Sequence, residues 1–99
     1  MVIMGRVEYP SYSQTETLAE NCIATKVGGT VSVSLWPFTA TSEDVWEEVG
    51  TLPVGWRPYK NINAASERGF IEVSRTGLVR CKRIPGKPAS IYCGTTFVV

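Results

Sequence analysis

Residues 44 to 59, DVWEEVGTLPVGWRPY, place three carboxylates, one arginine, two tryptophans and a tyrosine in one short segment. Paired carboxylates do general acid–base work only when they converge on one bond. Glu47 and Glu48 are adjacent, so on a strand they point to opposite faces and form no such pair. Asp44 and Glu48 share a face only on a helix, where a solvated surface accounts for them. The chain has no histidine, which removes the usual general base and the commonest zinc ligand. Serine and threonine are plentiful, yet none has a histidine or a suitably flanked lysine to activate it. Metal ligation would fall to carboxylates and carbonyls, and no calcium-loop pattern is present. These residues predict no catalytic group, no metal site and no cofactor.

Recognition suits them better. The chain holds three Trp, four Tyr and three Phe in 99 residues. A sugar ring exposes an apolar C–H face edged by hydroxyls, and a flat aromatic ring beside a few polar groups meets both parts. Trp46, Arg57 and Tyr59 are the leading candidates for such a site. Arg57 can donate bidentate bonds to a phosphate or carboxylate, and Asp44 and Glu47 can accept from hydroxyls. Arg57 has a second reading, as a donor to carbonyls of its own loop. Trp36 falls on the polar face of its strand, where it touches a ligand, lies in a subunit interface or is covered by a loop.

The elements that must position these residues are strands. TVSVSLW, residues 30–36, alternates strictly, with Val31, Val33 and Leu35 on one face and Thr30, Ser32, Ser34 and Trp36 on the other. Gly28-Gly29 before it marks a turn, which makes CIATKV, residues 22–27, the first arm of a hairpin. GFIEVSR and LVRCKRI form a second hairpin over residues 69–84 about Thr76-Gly77, ended by Pro85-Gly86. The basic cluster there, Arg75, Arg80, Lys82, Arg83 and Lys87, sends Arg80 and Lys82 one way and Arg83 the other, as a solvated strand face does. KNINA, residues 60–64, is a short strand after the Pro58 corner, and SIYCGTTFVV a terminal one. SEDVWEEVG is read as a strand entering a turn rather than a capped helix, because Gly50 and Pro53 leave a helix under two turns. Residues 10–21 are polar and read as a loop or a loosely held edge. The sum is one all-β domain, an antiparallel sandwich or jelly-roll-like barrel, with residues 1–21 an N-terminal strand and polar loop and residues 22–99 the head.

Ten basic and nine acidic residues give a net charge of +1, no electrostatic reason to expect nucleic acid or an anionic membrane as partner. Cys22, Cys81 and Cys93 are an odd set without CxxC spacing, read as free buried thiols of a protein made in a reducing compartment. One bridge, Cys81 to Cys93, stays open if they are strand neighbours. The start, MVIMGRVEY, is too short before Gly5 and Arg6 for a signal-peptide core, and no run reaches the length of a membrane span.

G-x-V-x-V at 29–33, V-G-T-L-P-x-G-x-R-P at 49–58, G-x-I-x-V at 69–73 and T-G-x-V at 76–79 stand in an order that resembles one family. Over about residues 22–99 the chain is similar to the C-terminal head, or receptor-binding, domains of phage tail, baseplate and tail-fibre proteins from Gram-positive hosts. The resemblance implies a trimeric β-barrel or jelly roll, made in the host cytoplasm and carried in the virion beside other tail proteins. It implies binding of a host cell-wall saccharide or phosphosugar, without catalysis, and Trp56, where such heads often have Tyr or Phe, as a ring packed under the corner. A structural trimerisation module with no ligand is the alternative, with Val31, Val33 and Leu35, or Tyr92 and Val98, around the axis. A trimeric jelly roll of spore-surface or collagen-linked proteins is a third reading. A binder leaves at least one Trp or Tyr exposed beside two or more polar side chains, whereas a scaffold buries all three tryptophans.

Overall fold

The computed structural model describes residues 13–99 and contains eight strands and no helix. They are β1 (Ser13–Ala19), β2 (Cys22–Val27), β3 (Thr30–Thr39), β4 (Trp46–Thr51), β5 (Ile62–Ala65), β6 (Gly69–Val73), β7 (Leu78–Arg83) and β8 (Ser90–Val98). Two four-stranded sheets run in the orders β1-β2-β3-β8 and β4-β7-β6-β5, with every strand pair antiparallel. In the second sheet three consecutive hairpin strands are joined by β4 lying beside the last of them, a Greek-key arrangement. The expected two-sheet, all-β architecture is the one observed. Among the described residues no helix is long and apolar enough to cross a membrane.

Local chemistry explains the hairpins. Val27 pairs with Thr30 across Gly28-Gly29, and Gly28 has φ 61°, a left-handed conformation that a side chain resists. Ala19 pairs with Cys22 across Glu20-Asn21, and Asn21, at φ 62°, is among the few non-glycine residues that tolerate it. The register of β3 on β8 shifts between Leu35 and Phe38. Pro37 lies in that gap, where its missing N–H breaks no ladder bond.

Residues 13–19 take the edge-strand alternative and pair with β2, with a register shift between Thr17 and Ala19. The short strand expected over 60–64 runs instead over Ile62–Ala65. SEDVWEEVG forms a strand from Trp46 onward. The part of the expected N-terminal strand before Ser13 lies outside the described residues.

The core is made by the inward residues of both sheets. Leu35, Val31 and Val33 of the first sheet and Ile71, Val73 and Val79 of the second are fully buried. This settles one expectation against itself. Val31, Val33 and Leu35 are enclosed within each chain, so they cannot face a symmetry axis. Tyr92 and Val98 are exposed.

The three cysteines are free and buried, as expected. Cys81 is on β7 of one sheet and Cys93 on β8 of the other, so they are not strand neighbours. Burial pushes the Cys22 thiol from 9.0 to about 11. Burial, then the Glu47 carboxylate and the other two thiols, push Cys81 to about 12. Burial also raises Cys93. A thiol that stays protonated in the fold but ionises in the unfolded chain stabilises the fold at low pH and loses that effect as pH rises past 9.0. Unfolding free energy, measured by denaturant titration, is expected to be flat near neutrality and to fall above pH 9.0 by about 1 kcal/mol per pH unit for each thiol. A thiol reagent at neutral pH is expected to leave the native protein unmodified and to find three equivalents after denaturation.

Candidate functional site

The outer face of the second sheet carries two rows of side chains set by strand register. Trp46 of β4, Lys82 of β7, Phe70 of β6 and Ala65 of β5 lie side by side in the first. Glu48, Arg80, Glu72 and Asn63 follow in the second. Residues two apart on a strand share a face about 7 Å apart. An aromatic row therefore runs parallel to a charged and amide row.

The rows are tied together. Lys82 threads between the two rings, with Nζ 5.0 Å from the Trp46 centroid and 5.6 Å from that of Phe70. The Arg80 guanidinium carbon is 5.0 Å from the Trp46 centroid. Such cation–ring contacts contribute about 0.5–1 kcal/mol each at a wet surface. Arg80 also donates to Glu72 Oε1 through Nε, at 2.9 Å, and through its terminal nitrogen. Lys82 Nζ lies 3.6 Å from Asp44 Oδ1. Asp44 is held there by its backbone N–H, which donates to Arg83 O at 2.8 Å. The result is a shallow depression of about 330 Å³ lined by Trp46, Asn63, Phe70, Glu72 and Lys82. It offers two ring surfaces, an amide, carboxylate acceptors and ammonium donors. Among the described residues no group of three His, Cys, Asp or Glu side chains is placed to hold a metal ion.

Only part of the grouping expected from sequence is brought together here. Trp46 lies in the depression and Asp44 at its rim. Glu47 is opposite Cys81 and therefore points to the other side of the sheet, where it accepts from the Ser42 N–H at 3.1 Å. Arg57 and Tyr59 lie beyond the far end of β4, about 17 Å along the strand from Trp46. Trp36 is on the outer face of the other sheet, 70% exposed, with its ring edge-on to Tyr92 at 4.8 Å. Phe70, Lys82, Asn63, Glu72 and Arg80 were not singled out as a site by the sequence. Alternation along 69–73 and 78–83 places Phe70, Glu72, Arg80 and Lys82 on one face, which is a usable signal. Their meeting with Trp46 is not, because it depends on β4 joining β7 across a long connection.

The corner itself is bonded internally. Trp56 is buried, 7% exposed, as expected. Arg57 takes the reading of internal donor, with Nε giving a bond to Leu52 O at 3.0 Å. Leu52 N in turn donates to Gly77 O at 2.9 Å. A Cβ on Gly77 would stand 2.6 Å from Arg57 Nε and 2.9 Å from Leu52 O, and Gly77 has φ 91°. The T-G-x-V and L-P-x-G-x-R-P segments thus close on each other, and a side chain at residue 77 is excluded.

Comparison with protein-family models, with curated proteins and with solved structures finds no match.

Arg57→Ala leaves the Leu52 carbonyl without its partner and is expected to lower stability by about 1–2 kcal/mol. Tyr59→Ala, at a ring 82% exposed, is expected to change it by less than about 0.5 kcal/mol. Denaturant midpoints of the two variants check this contrast.

Proposed function

We propose that this chain is a non-catalytic, jelly-roll-like head domain of a phage tail, baseplate or fibre, and that it holds a host cell-wall saccharide on the outer face of the β4-β7-β6-β5 sheet. The observation that carries the binding reading is the pair of rows. A pyranose ring laid over Trp46 and Phe70 rests its C–H face on apolar surface. Its hydroxyls then reach Asn63, Glu72 and Asp44 as hydrogen-bond partners. Lys82 and Arg80 are cations on the same face, suited to a phosphate or carboxylate on the glycan. Trp46 and Trp36 stand outside the core, which favours a binder over a scaffold that buries every tryptophan.

The phage reading rests on the order of the sequence motifs. The corner geometry gives that order a physical reason, since the matching segments are the ones that lock Arg57, Leu52 and Gly77 together. The motifs therefore speak to fold, and the saccharide site is argued from the rows. A single shallow site of this kind is weak alone. Several copies on one virion raise the effective affinity by about two to four orders of magnitude without any new contact.

Binding of the purified domain to host cell walls and to a glycan array tests the reading. Trp46→Ala and Phe70→Ala are each expected to weaken adsorption by about tenfold or more, the loss of about 1.4 kcal/mol of stacking. Both rings lie on the outer face, so the melting temperature should move by only a few degrees. Undiminished adsorption by both variants, with the fold intact, would remove the site from this face.

A further inference from the structure

A second cleft, of about 340 Å³, opens at β8 of the other sheet, lined by Trp36, Tyr92, Ser34, Ser66, Cys93 and Gly94. The Trp36 and Tyr92 rings meet edge-on at 83°, with centroids 4.8 Å apart, so they form a corner rather than a closed stack. Trp36 keeps 70% of its surface open. Tyr92 is held by Arg68, whose guanidinium carbon lies 5.4 Å from the ring centroid and whose terminal nitrogen donates to Ser90 O at 3.1 Å. Gly94 leaves a gap along β8 between the side chains of Tyr92 and Thr96. A Cβ there would stand 3.1 Å from Val33 O and 3.5 Å from Ser34 Oγ, so the Ser34 hydroxyl borders the gap.

The backbone adds polar groups. β8 is the last strand of its sheet. Ala89 O accepts from Ala40 N, and Val99 N donates to Gly29 O. Odd-numbered residues of β8 therefore bond toward β3, and the N–H and C=O of Tyr92 and Gly94 point to the free edge. The cleft thus combines an open indole, the hydroxyls of Ser34, Ser66 and Tyr92, and edge amides, and no charged side chain lines it.

We infer that this cleft is a second sugar site, separate from the Trp46 face, and that it takes one uncharged ring. The C–H face of a pyranose rests on Trp36. Its hydroxyls both donate and accept, as do the serine hydroxyls and the edge amides that meet them. A purely aromatic ligand stacks on Trp36 but leaves those polar groups without partners. A phosphate or carboxylate gives up water here with no cation in the lining to replace it. The volume is near the lower end of small-molecule sites, about 300–1,000 Å³, which suits a single ring. The Trp46 face, with Lys82 and Arg80, has the opposite charge character, and the inference stands whether or not that face binds a ligand.

Nuclear magnetic resonance titration of the whole chain tests this, read at the indole N–H signals of its three tryptophans, assigned by single Trp→Phe variants. Methyl glucoside and methyl N-acetylglucosaminide are expected to shift the Trp36 signal saturably, with a dissociation constant on the order of millimolar. Glucuronate, glucose 6-phosphate and phenol should each bind there at least about fivefold more weakly. Ser34→Phe, at an exposed position, fills the cleft and should weaken the Trp36 response at least about tenfold with an unchanged circular dichroism spectrum. Trp36→Ala should remove glycoside-induced shifts from the backbone amides of Tyr92 and Gly94. Trp46→Ala should leave the Trp36 response unaltered, which separates this site from the other face. No saturable shift with either glycoside, equal binding of the charged sugars or phenol, or a response that survives Ser34→Phe would overturn the assignment.

Discussion

Each strand of this chain buries one side against the other sheet, and the rest of the molecule follows from that single packing. The core is a thin layer of small and mid-sized side chains, with Leu35, Ile71, Leu52 and Ile91 among its largest fully buried members. A domain this small hides only about two thirds of the surface its unfolded chain exposes, so its margin of stability is modest. The interior leaves no buried polar or charged residue among those described. Chemistry is therefore displaced to the outer sheet faces and the corners, where it need not compete with packing.

The two outer faces use that freedom differently. On β4, β7, β6 and β5, the same alternation that buries Val79, Cys81 and Ile71 turns Arg80, Lys82, Phe70 and Glu72 outward. Opposite charges satisfy one another there, and Lys82 holds two rings apart at fixed spacing. On β1, β2, β3 and β8 the outward positions carry hydroxyls and aliphatic groups. One face carries rings and paired charges, and the other carries hydroxyls and apolar groups, with the same buried layer between them.

The corner at residues 52–58 links the sheets. Arg57 donates to Leu52 O, Leu52 donates to Gly77 O, and Lys26 Nζ donates to Gly55 O at 2.8 Å from β2 of the other sheet. The Arg57 and Lys26 bonds both tie charged side chains to backbone carbonyls of the corner. The grouping of Trp46 with Arg57 and Tyr59 failed for a plain reason. Nearness in sequence is not nearness in space when a strand extends about 3.4 Å per residue.

What the sequence determined by itself is local and periodic. Alternation in TVSVSLW named the buried Val31, Val33 and Leu35, and Gly28-Gly29 and Thr76-Gly77 named two hairpins. The sidedness of Arg80 and Lys82 against Arg83 was legible in the same way. Short-range sterics and a period of two suffice for these. The long connections decided the rest: β4 joined β7 and β8 joined β3, with strands in between that are distant in sequence. That pairing brought Trp46 to Lys82 and Phe70, and it carried Trp36 and Cys93 to a different sheet from Trp46 and Cys81. No periodicity encodes such a choice, because it is set by how two complete sheets bury the most apolar surface together.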